Sequence, residues 1–198
     1  MALLLAEIDR LVEQGVTYLY FIDEIFLPQE PLLAALVQRK VSFGVQMRID
    51  LWKPEQLALL GRAGCVSIEA GVESLSVEGR AALHKKCRMS NEELSDRLIE
   101  ARRHVPFVQA NLIGTAQDDP AVIAAWRERL ERNGVWANDP VPLYPYPASP
   151  RYRELWGEPD DLAWERAHDH YLSTVSRFSD IQNEEPIDLR SLETTCFT

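Results

Sequence analysis

Cysteine is scarce in this sequence: Cys65, Cys87 and Cys196 are the only three among 198 residues. An odd number at such wide spacing provides neither a disulfide framework nor a CxxC metal knuckle, and it suits a reducing, cytoplasmic setting. Basic residues are outnumbered, with 21 Lys and Arg against 31 Asp and Glu and a formal charge of −10. Such a chain repels phosphate backbones, which argues against a nucleic-acid partner. Long apolar runs are missing as well. The opening MALLLAEIDRLVEQG is too short for a membrane span, and acidic residues stand where a signal peptide needs its cleavage site, so no membrane partner is expected. The four histidines fall at 84, 104, 168 and 170, away from the expected strand ends where a metal-dependent hydrolase would place them. His168 and His170 lie two apart on an expected helix, face different directions and make a poor metal pair. Lys40, Lys53, Lys85 and Lys86 all lie outside the expected strands, which disfavours a Schiff-base aldolase.

What is present is an alternation of helical and extended patterns, with 46% hydrophobic residues, enough for one sizeable core. Leu4, Leu5, Ile8, Leu11 and Val12 predict a helix over 2–14 that stops at Gly15. TYLYFID (17–23) predicts a buried strand with a polar end. The cycle repeats with a helix near 29–38, a strand at 42–46, a helix from Pro54 to about Ala63 and a strand at 65–69. A helical region then runs from Ser76 to His104, interrupted around 84–89, and Ser90 with Glu93 forms a capping box inside it. A strand at 107–113, a helix from Pro120 to Arg132 and an extended VWANDPVPLYPYP follow. Residues 149–177 read as helical and amphipathic, and the sequence beyond 180 as a polar tail. The expected organisation is an α/β region over 1–147, a helical extension over 148–180 and a tail over 181–198. Strands alternating with helices call for parallel pairing through crossovers, and the pattern alone leaves barrel and open sheet both standing.

In a βα barrel the functional groups project from the carboxyl ends of the strands. Those ends carry Asp23 and Glu24, then Gln46, Arg48 and Asp50, then Glu69, Glu73 and Ser74, then Asn111, and finally Tyr144. Each of these alone also has a plain structural reading, since caps and loop bonds need polar residues at such junctions. EAGVES (69–74) sets Gly71 between carboxylates, which suits a ribose or an amino acid; a glycine turn opening a helix, with acids favoured by its dipole, explains the same residues. HKKCR around Cys87 reads as a solvated helix junction, or as a thiol made reactive by its cationic neighbours. Cys65 opens a strand and is expected to be an inert core thiol. Trp52, Trp136 and Tyr144 are candidates to line a pocket, or to serve the core.

In this order the motifs resemble the radical S-adenosylmethionine (radical SAM) superfamily, and in particular the radical SAM domains that follow a cobalamin-binding domain. The resemblance runs over about residues 2–177. It implies a partial TIM-like (β/α)6 radical SAM barrel lacking its first strand, with C-terminal helices. YFIDEIF resembles the second-strand segment, whose acidic end, Asp23 or Glu24, would hold the methionyl amino group. FGVQMRID resembles the third strand and brings Arg48 with it. SIEAGVES resembles the fourth, with Glu69, Gly71, Glu73 and Ser74 near the ribose or the methionyl carboxylate. QANLIGTAQDDP resembles the fifth, placing Ile113 and Gly114 against adenine. PLYPYPASPRY, with Tyr144, resembles the sixth-strand ending, and Lys85 or Lys86 would meet the methionyl carboxylate.

The resemblance implies S-adenosylmethionine as cofactor and a small-molecule substrate. In a full-length relative it implies a 4Fe–4S cluster that cleaves the cofactor reductively to a 5′-deoxyadenosyl radical, with cobalamin in a further domain. The family holds its cluster with CxxxCxxC in the loop after the first strand. This sequence contains no such motif, and its three cysteines cannot deliver three thiolates from one loop. The chain alone is therefore expected to be inactive in that cleavage. The alternative is a truncated or degenerate, non-catalytic barrel subunit that binds a ligand or a partner chain. A missing first strand would leave strand 17–22 unpaired on one side and prone to self-association.

Overall fold

The computed structural model describes residues 1–175. The chain divides into two compact units, Met1–Asn138 and the part from Asp139 onward.

The first unit is a parallel α/β sheet. After α1 (Ala2–Glu13) come β1 (Tyr18–Phe21), α2 (Glu30–Val37), β2 (Ser42–Met47), a 3-10 turn at Ile49–Leu51, α3 (Pro54–Arg62) and β3 (Cys65–Glu73). α4 (Val77–Ala82), α5 (Asn91–His104), β4 (Phe107–Gly114), α6 (Pro120–Arg132) and β5 (Trp136–Ala137) complete it. The five strands pair in sequence order, and all four pairings are parallel. A parallel pair cannot be joined by a tight turn, so the intervening helices are obligatory, and this arrangement is that of a partial TIM-like barrel.

Strand alternation divides the sheet into two faces of opposite character. Phe21, Val45, Ile68 and Val108 lie in register across one face, as do Met47, Ala70 and Ala110. With Leu33 and Leu36 of α2, Leu57 and Leu60 of α3, and Leu94 and Leu98 of α5, most of these residues form a core closed to solvent. Burying one such side chain contributes about 1.5–3 kcal/mol. The other face carries Tyr20, Gly44, Ser67 and Phe107 in one row and Gln46, Glu69, Gln109 and Trp136 in the next. Tyr20, Gln46, Phe107 and Trp136 on that face are exposed.

The helix ends obey local chemistry. Ser90 accepts from the Glu93 amide while the Glu93 carboxylate accepts from the Ser90 amide, which is the capping box expected from sequence. Asp119 caps α6 by accepting from the Ala121 amide. Where α3 crosses α5, a Cβ on Gly61 would collide with the His104 carbonyl oxygen, so only glycine permits that approach.

Two expectations are corrected. β1 is not a buried strand: Tyr18 and Tyr20 are 46% and 40% exposed, because β1 pairs only with β2 among the described residues. β3 does not stop at Glu69 but runs to Glu73, so Gly71 stands inside a strand rather than in a turn.

In the second unit, α7 (Pro150–Trp156) ends at Gly157, whose φ of 81° suits glycine, and α8 (Ala163–His170) begins afresh before a π-helical turn at Tyr171–Val175. A two-residue strand, β6 (Val141–Pro142), precedes α7. Tyr152, Ala163 and Ala167 form this unit's own core, with Tyr144 and Trp156 packed against it. The expected tail over 181–198 lies outside the described residues. No helix among the described residues is long and apolar enough to cross a membrane.

Candidate functional site

The carboxyl ends of β2 and β3 gather most of the candidate residues. Arg48 follows β2 and grips Asp50 with two bonds, Nε to Oδ1 at 3.2 Å and Nη2 to Oδ2 at 2.7 Å. Such a bidentate fork is the stronger form of the ion pair. The hydrogen bond to Asp50 raises the Arg48 guanidinium above its ordinary value; burial opposes this, and the charges of Asp50, Cys87 and Glu73 add to it. Arg48, Glu73 and Cys87 therefore share one neighbourhood.

Lys85 reaches into the same place from the segment after α4. Its side chain is only 7% exposed, and its Nζ donates to the Gly71 carbonyl and, at 3.1 Å, to Oε1 of Glu73, whose side chain is 26% exposed. Lys86, the other lysine considered, is exposed. The space a Cβ on Gly71 would take is filled by the Glu73 carboxylate. Gly71 is thus the residue that lets Glu73 fold back beside its own strand.

Glu73 adopts a φ of 72°, in the left-handed region that a side chain rarely enters. The Ser74 amide donates to the Val72 carbonyl at 3.0 Å, closing a γ-turn around Glu73, and the β3–β4 register shifts between Gly71 and Glu73. A bulge and a strained turn at a strand end re-aim side chains, and such features concentrate at functional sites.

Below this rim, Glu69 lies on the polar face, close enough for its charge to act on the Tyr20 phenol. Burial, then the charge of Glu69, pushes the Tyr20 phenol up. Gln109 donates to Asn111 at 2.6 Å, and the Tyr18 and Ser67 hydroxyls are 3.3 Å apart. Ile113 is half-buried and Gly114 exposed at the end of β4, while Asp23 and Glu24 stand exposed on the loop after β1. Ser74 is 1% exposed and engaged with Asp118. Tyr144 belongs to the second unit, where its ring meets Tyr146 at 4.5 Å and Tyr171 at 5.6 Å between centroids, and burial raises its phenol.

Some readings resolve and some functional-looking residues were not foreseen. Cys65 is the expected core thiol, and burial pushes it up to about 12. Trp52 serves the core: it is fully buried, stacked on Phe26 and bonded to the Phe26 carbonyl. Trp136 is 40% exposed and lines a groove with Ala124, Arg127 and Glu131. Asp118 and Arg80 were missed. Arg80, 4% exposed, donates to the Ser74 carbonyl, Asn91 Oδ1 and the Met89 carbonyl. Asp118 contacts the turn after Glu73 from more than forty positions away, and no local signal announces that.

No group of three or more His, Cys, Asp and Glu side chains among the described residues could hold a metal ion. Cys65 is shut in the core and Cys87 lies after α4, so these donors do not fit a 4Fe–4S cluster.

No protein-family model and no curated protein matches the sequence. Solved structures do. One is the radical S-adenosylmethionine methyltransferase TsrM from Kitasatospora setae with tryptophan substrate and the SAM analogue aza-SAM bound; it is similar at 17% identity over 76% of this chain and 31% of that chain, with a TM-score of 0.64. Another is TsrM from the same organism with cobalamin and a 4Fe–4S cluster bound, at 17% identity over 75% of this chain and 32% of that chain, with a TM-score of 0.58. The chain spans about a third of the length of these neighbours, and over that span it has a radical SAM-like α/β fold.

Proposed function

We propose that this chain forms the S-adenosylmethionine-binding side of a radical SAM-type sheet, acting on a small-molecule substrate in its full-length form. The observation that carries the reading is the charge arrangement at the ends of β2 and β3. Two cations, Arg48 and Lys85, are each held by a carboxylate, Asp50 and Glu73. The amino-acid end of S-adenosylmethionine is a zwitterion, and such a ligand can exchange its own ammonium and carboxylate for one internal pair without leaving a charge uncompensated. Lys85 would take the carboxylate, and Glu73 or the exposed acids Asp23 and Glu24 the ammonium. Glu69 and the amides of Gln109 and Asn111, on the polar face beneath, offer acceptors and donors for ribose hydroxyls. Ile113 and Gly114 at the end of β4 supply the apolar edge and open backbone that a purine plane needs.

A 4Fe–4S cluster, when bound in a full-length relative, supplies the electron that cleaves the cofactor. This chain's described cysteines do not fit the cluster, so the role derived for the chain is binding and orientation. No residue here is assigned to cobalamin. The same cysteine placement favours a second reading, a non-catalytic barrel piece that binds ligand or a partner chain.

Isothermal titration of the chain with S-adenosylmethionine tests the proposal. Binding that weakens at least about tenfold in Glu69→Gln supports it, because a lost charged acceptor is worth about that much. Absence of binding at about 1 mM ligand, the margin of specific recognition, overturns it.

A further inference from the structure

Asp118 lies in the loop between β4 and α6, yet its bonds go mostly to another loop. Its Oδ1 accepts from the Ser74 hydroxyl and from the Leu75 and Ser76 amides, each at 2.9 Å. Its Oδ2 accepts from the Thr115 hydroxyl of its own loop at 2.6 Å. One carboxylate thus fastens three consecutive residues that directly follow the strained Glu73. Arg80 holds the same stretch from the other side by donating to the Ser74 carbonyl at 3.0 Å, and Ser76 then caps α4 by accepting from the Gly79 amide. A left-handed φ at a non-glycine residue persists only where the surroundings impose it. Here they do so through Lys85 before the turn and Asp118 after it.

We infer that Asp118 is a positioning residue: from the loop after β4 it locks the 74–76 turn, and through it holds Glu73 in the conformation that meets the ligand. The inference rests on the S-adenosylmethionine-binding reading given above. Without the clamp, the turn relaxes toward ordinary backbone geometry, the Glu73 carboxylate leaves Gly71, and the ligand must order the turn itself. Ordering one residue opposes binding by about a factor of ten.

The test compares the wild-type chain with Asp118→Ala and Asp118→Asn by titration with S-adenosylmethionine at 10 °C, well below unfolding, together with thermal melts and amide exchange at Leu75 and Ser76. Asparagine keeps Oδ1 for its three donors, and the Thr115 hydroxyl can rotate to accept from the new amide. Asp118→Ala is expected to raise Kd about tenfold and to speed exchange at Leu75 and Ser76, with Asp118→Asn returning Kd to within about threefold of wild type. A residue that served stability alone would lower the melting temperature and leave Kd at 10 °C unchanged. An unchanged Kd in Asp118→Ala, beside clear wild-type binding, overturns the positioning role alone. Equal loss in both variants also overturns it, since the bond geometry would not be what matters. Absence of wild-type binding overturns the underlying reading and the inference with it.

Discussion

Replacing Lys85 by methionine keeps most of the side-chain stem and removes the ammonium that ties Gly71 to Glu73. Two losses follow. The Gly71 carbonyl forfeits a charge-assisted bond, worth about 1.5–3 kcal/mol. The pair with Glu73 adds about 1 kcal/mol at most, since the Glu73 side chain is 26% exposed and water screens it. Methionine retains the apolar packing of the stem, so nothing further is lost there. The sum is about 1.5–4 kcal/mol, which in a chain of this size lowers the melting temperature by about 3–16 °C. Calorimetry on Lys85→Met, with Lys86→Met as control, is the assay. Lys86 is exposed, and its replacement should stay within about 0.5 kcal/mol of wild type. In a Glu73→Gln background the same change should cost less by about 1 kcal/mol, the coupling of the pair. If Lys85→Met matches the control, Lys85 does not hold the turn, and the charge arrangement proposed for the site is wrong.

Further outcomes are expected elsewhere. Gly61→Ala should destabilise the chain by about 1–3 kcal/mol in urea, because contact with the His104 backbone outweighs the roughly 1 kcal/mol that alanine gains in a helix; a stabilised variant would show that α3 and α5 can move apart. Cys65 should resist iodoacetamide in the native chain at pH 8 and react once denatured, as peptide mapping would reveal; its thiol stays protonated as pH rises, until about 12. The exposed edge at β1, with Tyr20 40% and Ile22 89% exposed, should make the chain associate as concentration rises, and Tyr20→Lys should reduce this; light scattering that finds a monodisperse wild-type monomer at tens of micromolar would contradict it.

The fold was legible where local chemistry decides. Pro120 and Asp119 set the start of α6, the Ser90–Glu93 box sets the start of α5, and Pro54 sets that of α3, each within a residue of expectation. Sequence pattern misleads where distant contacts decide. YLYF has the composition of a buried strand, but burial depends on a neighbouring strand, which no property of those four residues reveals. Gly71 looked like a turn glycine because β3 is extended by a bulge that pairing with β4 imposes. The candidate residues at the ends of β2 and β3 could be named from sequence, while their pairings could not. Lys85 reaches Gly71 and Asp118 reaches Ser74 only once the sheet exists.

The sequential strand order also bears on how the chain reaches its native state. Each strand from β2 to β5 docks beside the strand made just before it, across one helical connection or, between β3 and β4, two. Among β1 to β5 no pairing waits for a distant strand, so loop closure is modest at each of these steps, and this part of the sheet can grow from one end during synthesis while each newly emerged βα unit finds its template already waiting.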